Sequence, residues 1–323
     1  MRFPVACAVF FQMTMGFSVQ KTAEPNSDHA IAGAASGFIT RFLCQPLDVI
    51  KIRFQLQVEP ISKCHISKYR SMSQAVLLII REEGSAALWK GHVPAQLLSI
   101  VYGTVQFYSY NVFTKMLQQV PQIEEWRHTT QFVAGAGAGS MGTIFSFPLD
   151  TVRTRLVAQS SNHQVYNGVL HSCSSILRQE SSKVFFSGLL PTLLQIAPHT
   201  GLQFAFYGLF TDFYKRCTSD TNTSFYNSML SGSAAGLLAK TVVYPFDLAR
   251  KRLQIQGFQH GRKGFGKFFQ CSGLLDCLRI TVKEEGVRGL FKGLTPSQVK
   301  ATVTTAFHFT AYEQVLLLLK TLR

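Results

Sequence analysis

The sequence predicts an all-α membrane protein whose six transmembrane helices form three tandem repeats. Three observations predict this fold: a charged motif recurs at nearly constant intervals, two long apolar segments accompany each recurrence, and the composition is apolar. Of the 323 residues, 46% are hydrophobic and only 15% are charged, and the mean hydropathy is +0.13. This composition favours a chain that is buried in a membrane.

The recurring motif is a proline followed by an acid two residues later and by bases five and seven residues later. It reads PLDVIKIRFQ from Pro46, PLDTVRTRLV from Pro148 and PFDLARKRLQ from Pro245. A pair of glycines precedes each proline, and an acidic turn motif and a tyrosine follow it at matched distances. The matched offsets indicate one unit used three times. We predict repeats at residues 29–120, 127–216 and 223–323, and we assign no role to the N-terminal segment 1–28.

Each unit reads as a glycine-rich apolar helix that ends in the motif, a polar loop, a short amphipathic helix and a second apolar helix. None of the long segments is a clean run of ~20 apolar residues, the length that a bilayer requires. Their polar interruptions are periodic, as expected of helices that line a wet cavity. The loops within units are basic, whereas the connectors 118–126 and 217–225 are acidic. We therefore expect the loops within units to face the inner compartment and both termini to face the opposite side.

The three motifs together predict a gate made of ion pairs. If three proline-kinked helices surround one axis, each contributes one acid and one base at the same depth. Pairs between neighbouring helices would close that end of the cavity, and the cost of desolvating the charges would let the pairs open again. The predicted gate consists of Asp48, Lys51, Asp150, Arg153, Asp247 and Arg250. Gln55 and Gln254 are predicted to brace it, and Val157 takes their place in the second repeat. The alternative is a set of solvated helix ends with capping charges, which the occurrence of three copies in register disfavours.

Polar residues inside the apolar helices predict a binding site for an anionic solute. In the second helix of each unit they are spaced by four residues, so each set lies on one face. A lysine such as Lys300 costs ~3 kcal/mol to place mid-membrane, so it requires water or a charged partner. The predicted substrate-binding residues are Lys300, Gln195, Tyr102, His199 and Thr304, with Arg41 and Lys240 in the first helices. Structural pairing is the alternative for the three bases, and a structural hydrogen bond is the alternative for His199.

The aromatic-Lys-Gly turns predict two sites for a phospholipid phosphate, because each combines a base, an interfacial ring and the amides of a helix start. They comprise Trp89, Lys90 and Gly91 in the first repeat and Phe291, Lys292 and Gly293 in the third. Ser187 replaces the lysine in the second repeat. The seven scattered cysteines indicate neither a disulfide framework nor a metal site. No motif of a phosphate-binding loop, metalloprotease or serine hydrolase is present, so we expect no enzyme activity and no cofactor.

These units resemble the mitochondrial carrier family in their Pro-x-Asp-x-x-base-x-base motif and their later acid-Gly-x4-aromatic-Lys-Gly motif. The resemblance covers residues 29–323. It implies a pseudo-threefold six-helix bundle in the inner mitochondrial membrane, with its termini toward the intermembrane space and its loops in the matrix. It also implies alternating access, a salt-bridge network on the matrix side, and cardiolipin bound at the aromatic-Lys-Gly turns. We expect a monomer.

Within the family, the stretches GHVPAQLLSIVYGTVQF, KTVVYPFDL and KRLQIQGFQHGRKGFG resemble members that carry thiamine pyrophosphate. This resemblance implies import of thiamine pyrophosphate in exchange for nucleotides. The central contact positions of the family fall at or beside Leu98–Ser99, Gln195–Ile196 and Lys300–Ala301, which adds Ser99 to the predicted site. The family's outer gate has a base three residues after the acid position, and this chain lacks that base in every repeat.

Two alternatives remain open. One is a carrier of another phosphorylated solute, such as a nucleotide, a deoxynucleotide or coenzyme A. The other is a soluble basic helical repeat that binds nucleic acid, which the net charge of +15 suggests. The long apolar segments disfavour the second alternative, so we expect no nucleic-acid partner.

Overall fold

The computed structural model describes residues 27–58, 68–119, 127–159, 165–218, 225–258 and 270–321. Residues 1–26 of the unassigned N-terminal segment, and most of the loops from which sidedness was predicted, lie outside these ranges. The described residues form nine α-helices and no strand, which confirms the all-α prediction. The helices are α1 Ser27–Leu56, α2 Met72–Glu83, α3 His92–Gln118, α4 Arg127–Ala158, α5 Val169–Gln179, α6 Leu189–Thr218, α7 Phe225–Gln254, α8 Leu274–Glu285 and α9 Leu294–Thr321.

The six long helices close into a ring. The most extensive packing joins α3 with α4, α6 with α7, and α9 with α1. Each of these pairs joins the second long helix of one repeat to the first long helix of the next, and the last pair returns the chain to its start. The first helices α1, α4 and α7 also contact one another. The bundle therefore has the threefold order that the repeats imply.

Glycines allow some of these helices to approach closely. A Cβ atom added to Gly142 of α4 would lie 3.2 Å from the ring of Tyr102 on α3, and one added to Gly137 would lie 3.0 Å from Phe113. Small residues at helix contacts permit such packing in membranes.

The repeat prolines Pro46, Pro148 and Pro245 lie inside α1, α4 and α7 rather than at their ends. Each helix continues past its proline and carries the charged motif on its last turns, where the three helices meet. We call this the motif end of the bundle. Proline inside a helix removes a backbone hydrogen bond and favours a kink, which suits helices that converge at one end.

Burial is concentrated at the motif end. The largest buried cluster joins the C-terminal parts of α1 and α4 to the short helices α2 and α5, and it includes Leu56, Ile79, Val157 and Ile176. The short helices therefore cap the converging long helices.

The outside of the long helices carries large exposed apolar side chains. Ile100 is 64% exposed, Tyr108 72% and Phe213 67%. Soluble proteins rarely expose so many apolar groups, whereas lipid-facing helices do. By length and composition, one helix segment in the described part of the chain, Phe132–Ala158, is apolar enough to cross a membrane.

Candidate gate and substrate site

The motif charges of neighbouring repeats meet at the motif end. The three ion pairs are Asp48–Arg153 at 2.6 Å, Asp150–Arg250 at 2.7 Å and Asp247–Lys51 at 3.2 Å. They join α1 to α4, α4 to α7, and α7 to α1, so they form a closed circuit that we call the inter-repeat ring. Its side chains are 6–22% exposed, so each keeps a small part of its surface in contact with solvent.

The three acids of the ring do not have equal support. Asp150 accepts hydrogen bonds from Arg250, from Lys251 Nζ at 2.9 Å and from Gln254 Nε2 at 2.6 Å. For Asp247, Lys51 is the ion-pair partner at the longer distance of 3.2 Å. The α4–α7 contact is therefore the most strongly held of the three.

The two predicted brace residues occupy different places. Gln254 bonds to a ring acid, as its position predicted. Gln55 instead donates through Nε2 to the hydroxyl of Tyr244 at 3.0 Å, and the ring of Tyr244 lies 6.0 Å from Lys51 Nζ. Within the described residues, no hydrogen bond joins Gln55 to the Lys51–Asp247 pair, so Gln55 contacts Tyr244 instead and its role as a brace stays a prediction.

A second set of ion pairs lies within each repeat. The second motif base pairs with the acid that begins the turn motif of the same repeat: Arg53 with Glu83, Arg155 with Glu180, and Arg252 with Glu285. We call these the intra-repeat pairs. The arginine side chains are at most 4% exposed, so these bases are more buried than the bases of the ring, and Glu180 is the one acid of these pairs that keeps as much as 22% exposure.

The geometry of the first intra-repeat pair shows how such charges are tolerated. Arg53 donates two parallel hydrogen bonds to Glu83, at 2.6 and 2.8 Å, and a third to the hydroxyl of Tyr69 at 3.0 Å. Burial by itself raises the pKa of Glu83, but the hydrogen bonds from Arg53 and Lys90 outweigh burial and lower the pKa from 4.5 to about 2. Glu83 is therefore ionised at neutral pH.

Sequence reasoning identified the turn acids as part of a motif but gave them no role. The fixed position of these acids before the turn in all three repeats could have indicated a structural role. The reasoning also missed Lys251, which stands between the two expected motif bases of the third repeat and is 9% exposed. The motif of the third repeat has three bases where the other two motifs have two, and this difference could have indicated Lys251.

The glycine that ends each turn motif lies against the first long helix of the next repeat. Gly91, Gly188 and Gly293 have φ of 76°, 86° and 82°, which favours glycine. A Cβ atom on Gly188 would lie 2.8 Å from the carbonyl oxygen of Arg250, and one on Gly293 would lie 3.1 Å from that of Lys51. A side chain at these positions would push the ring helices apart.

Among the predicted substrate residues, Lys300 lies at the ring itself. Its Nζ lies 2.6 Å from Asp48 Oδ1, so Asp48 is shared by Lys300 and Arg153. Arg41 donates to the carbonyl of Ala95 at 3.1 Å, and Lys240 donates to that of Ser297 at 3.2 Å.

Within the described residues, neither Arg41 nor Lys240 forms an ion pair. Both are partly buried, and both carry charge that no carboxylate contact neutralises. The carboxylate of Asp48 acts on both bases over a longer distance, and that of Asp247 acts on Lys240.

The other predicted substrate residues lie on several of the long helices. Gln195 interacts with the carboxylate of Asp247. Thr304 donates to the thiol of Cys44 at 3.2 Å, and Ser99 donates to the carbonyl of Ala95 in its own helix at 3.3 Å. These polar groups lie on three different helices, and each keeps part of its surface exposed.

The last two predicted substrate residues, Tyr102 and His199, lie in different environments. Tyr102 packs on Gly139 and Gly142 of α4, so one face of its ring is covered by the neighbouring helix. His199 is half-buried within electrostatic range of Asp247 and Lys240.

Three segments of the chain, residues 22–121, 125–217 and 221–322, match the family model described as mitochondrial carrier protein. This chain belongs to the mitochondrial carrier family. It is 44% identical over 288 residues to the mitochondrial thiamine pyrophosphate carrier of Homo sapiens, which covers 88% of this chain and 89% of the relative. The relative of that name from Bos taurus is 42% identical over 292 residues, covering 89% of this chain and 91% of the relative. Mitochondrial thiamine pyrophosphate carrier 1 of Coccidioides immitis is 38% identical over 297 residues, with 90% and 92% covered.

The side chains of the two turns that were predicted to bind lipid point in different directions. The ammonium groups point inward: Lys90 Nζ lies 2.6 Å from Glu83, and Lys292 pairs with Glu285 and donates to the carbonyl of Gln57 at 3.0 Å. Both lysines therefore strengthen intra-repeat pairs. Trp89 is partly buried and donates through Nε1 to the carbonyl of Phe42 at 3.2 Å, whereas the ring of Phe291 is exposed.

At the opposite end of this carrier, the part of the chain that the structure describes contains no matching ring. Across the described residues of that end, no ion pair joins the long helices, in keeping with the missing bases of the family's outer gate. One polar contact joins α1 to α9, between His29 Nδ1 and the Tyr312 hydroxyl at 2.8 Å.

Proposed function

We propose that this protein imports thiamine pyrophosphate into the mitochondrial matrix, in exchange for nucleotides, by alternating access. The observation that carries the substrate assignment is the 44% identity, over 88% of the chain, to a relative named for that substrate. Under this proposal the protein lies in the inner mitochondrial membrane as a monomer. The motif end faces the matrix, and both termini lie toward the intermembrane space.

The charges of the cavity support a polyanionic substrate. Arg41 and Lys240 bind only carbonyl oxygens among their described contacts, so a diphosphate can take up their charge without first breaking an ion pair. Lys300 is different because it already binds Asp48. A phosphate that binds Lys300 must compete with this carboxylate.

That competition connects binding to gating in this proposal. Asp48 also holds Arg153, so a substrate that removes Lys300 from Asp48 changes the charge balance at one of the three ring pairs. The inter-repeat ring acts as the matrix gate, and it is closed in the conformation described here. Its partial exposure limits the energy of each pair, which lets the gate open during each cycle.

Lipid binding is part of the same proposal. Cardiolipin is bound at the turns of the first and third repeats through the ring of Trp89 or Phe291 and the amides that follow Gly91 or Gly293. The inward position of Lys90 and Lys292 means that backbone donors and aromatic contacts provide most of the binding.

A second candidate is a carrier of another phosphorylated solute, such as a nucleotide, a deoxynucleotide or coenzyme A. The three bases favour it equally, because Arg41, Lys240 and Lys300 interact with phosphate charge and not with the rest of the solute. The aromatic and polar residues around them must provide any selectivity for the thiamine moiety.

Uptake into liposomes that contain the purified protein tests the proposal. The external panel consists of thiamine pyrophosphate, thiamine monophosphate, thiamine, a nucleotide, a deoxynucleotide and coenzyme A, each with and without internal nucleotide. We expect uptake of thiamine pyrophosphate that depends on internal nucleotide. Nucleotide exchange without thiamine pyrophosphate uptake would favour the second candidate.

The role of Lys300 is tested by Lys300→Gln, with Lys183→Gln as the matched control because Lys183 is exposed on a short helical turn outside the long helices. We expect Lys300→Gln to abolish uptake while thermal stability in detergent is retained, since Arg153 still neutralises Asp48. Full uptake by a folded Lys300→Gln protein would rule out a substrate contact at this lysine.

A further inference from the structure

The third repeat differs from the other two just after its first long helix. In the first repeat, the side chain of Gln57 donates to the carbonyl of Tyr69 at 3.1 Å and accepts from its amide at 2.8 Å. In the second repeat, Gln159 holds Tyr166 in the same way, at 3.0 and 3.1 Å. Each tyrosine hydroxyl accepts a hydrogen bond from the arginine of the intra-repeat pair. This arrangement fastens the loop to the motif helix.

A cysteine takes the tyrosine's place in the third repeat. Gln256 holds the equivalent position to the two glutamines and donates to the carbonyl of Cys271 at 3.0 Å and to its thiol. Arg252 finds another partner, the hydroxyl of Thr281, at 2.9 Å.

A second thiol lies against the first. Cys277 of α8 belongs to the same small buried cluster as Cys271, together with Val58 and Ala249, and the two thiols interact with each other. Both cysteines are free, and the positions equivalent to Cys277 hold Ala75 and Ser172 in the other repeats. The pair of thiols is therefore particular to the third repeat.

We propose that Cys271 and Cys277 are a redox-responsive dithiol that hydrogen peroxide converts into an intramolecular disulfide. The thiolate of Cys271 attacks one peroxide oxygen, the O–O bond breaks, and a sulfenic acid and hydroxide form. The thiol of Cys277 then attacks the sulfenic sulfur, which forms the S–S bond and releases water. Over both steps, two thiols are oxidised, the peroxide is reduced, and two waters form.

The environments of the two thiols assign these roles. Cys271 is 7% exposed, whereas Cys277 has no exposed surface, so peroxide reaches Cys271 first. The hydrogen bond from Cys277 lowers the pKa of Cys271 against the opposing effect of burial, with a further contribution from Gln256. The same hydrogen bond, together with burial, raises the pKa of Cys277. Since the thiolate is the reactive form, Cys271 is the attacking group and Cys277 the resolving one.

The dithiol lies between two of the intra-repeat arginines. The carbonyl of Gln256 accepts a hydrogen bond from Arg155 at 3.0 Å, so Gln256 connects Cys271 to the second repeat. On the other side, Thr281 donates to the carbonyl of Cys277 at 2.7 Å and accepts from Arg252. A disulfide removes the Cys271 thiol from Gln256 and fixes the loop to α8. We therefore expect oxidation to slow transport, a consequence that rests on the proposed function.

Peptide mapping of the full-length protein in detergent tests disulfide formation directly. The protein is treated with hydrogen peroxide, alkylated, digested and analysed by mass spectrometry. We expect a peptide linked through Cys271 and Cys277, which dithiothreitol converts back to two alkylated thiols. Cys173 in α5, a half-buried thiol with no described cysteine partner, is the internal reference. Oxidation of Cys173 without a linked 271–277 peptide would overturn the proposal.

Transport assays with variants test the consequence. Cys277→Ala introduces the residue of the first repeat, and Cys271→Ser offers a second variant if the first is poorly folded. We expect peroxide to lower uptake by the wild type and by Cys173→Ser, reversibly with dithiothreitol, and to leave both dithiol variants unaffected. Equal inhibition of the dithiol variants would disprove the effect on transport. The linked peptide is detected without any solute, so its presence or absence is independent of whether the substrate assignment holds.

Discussion

The inter-repeat ring and the intra-repeat pairs use bases of the same motif in opposite ways. The bases that stand five residues after the proline reach across to another repeat and are 10–22% exposed. The bases that stand seven residues after it stay within their own repeat and are at most 4% exposed. Two residues of separation in a helix turn the side chains to different faces, so one base faces the central axis and the other faces the short helix.

The difference in burial indicates that the two sets of ion pairs have separate roles. A buried, multiply bonded ion pair is costly to break, because each separated charge would remain in a poorly solvated place. The intra-repeat pairs therefore hold each repeat together as a unit. The more exposed ring pairs are the contacts that can separate when the repeats move relative to one another.

The largest expected effect comes from breaking an intra-repeat pair. Glu285→Gln leaves both Arg252 and Lys292 without their carboxylate, and such a loss in a buried pair costs ~3–5 kcal/mol. We expect a marked drop in the melting temperature in detergent and little recoverable folded protein. Glu284→Gln, at the adjacent exposed position, is the control and should melt like the wild type. Equal melting temperatures of the two variants would contradict the structural role of the intra-repeat pairs.

Breaking a ring pair should instead reduce transport while the fold remains. We expect Lys51→Asp and Asp247→Lys each to lower the uptake rate by about tenfold or more. A tenfold loss corresponds to a rise of about 1.4 kcal/mol in the barrier to transport. The double variant restores opposite charges on α1 and α7 and should regain part of the rate. Melting temperatures measured alongside should stay near the wild-type value. A double variant no better than either single one would argue against this pair in the gate.

The pH dependence of stability tests the first intra-repeat pair. Because the pKa of Glu83 falls from 4.5 to about 2 on folding, its pair stabilises the protein above pH 4.5 and loses that contribution as the pH falls through about 2. We expect the difference in melting temperature between wild type and Glu83→Gln to shrink across this window. Glu82→Gln is the matched control, since Glu82 forms an exposed pair with Lys68. A difference that is constant with pH would contradict the assignment.

The difference between the two glutamines should be small, and it tests the uneven support of the ring. Gln254→Val removes a hydrogen bond to the charged Asp150, worth ~1.5–3 kcal/mol. Gln55→Val removes a bond to the neutral Tyr244 hydroxyl, worth ~0.5–1.5 kcal/mol. Valine is the residue of the second repeat at this position. We expect the melting temperature to fall more for Gln254→Val, and the reverse order would show that the α4–α7 contact is not the better supported one.

The repeated pattern made most of the fold predictable. Three matched motifs predicted three units, and the apolar segments around them predicted the six long helices that the structure shows. The positions of the ring charges at helix ends also followed from the motif. These features depend on residues close together in the chain, which is why a single sequence contains them.

Other features of the site were not accessible in this way. Gln55 and Gln254 hold the same place in their motifs, yet one bonds to Tyr244 and the other to a ring acid. Lys300 was recognised as an unusual lysine, but its contact with Asp48 joins residues 252 positions apart. Such contacts depend on the relative rotation and depth of separate helices.

The sequence by itself determined the number of repeats, the helices and the supply of charges at the motif end. The tertiary structure decided which base meets which acid: Lys51 meets Asp247, Arg153 meets Asp48, and the second bases turn back to their own repeats. The physical reason is that helix formation and apolar burial follow from local pattern, whereas an ion pair at 2.6–3.2 Å requires that two helices be placed to within a fraction of an ångström of each other.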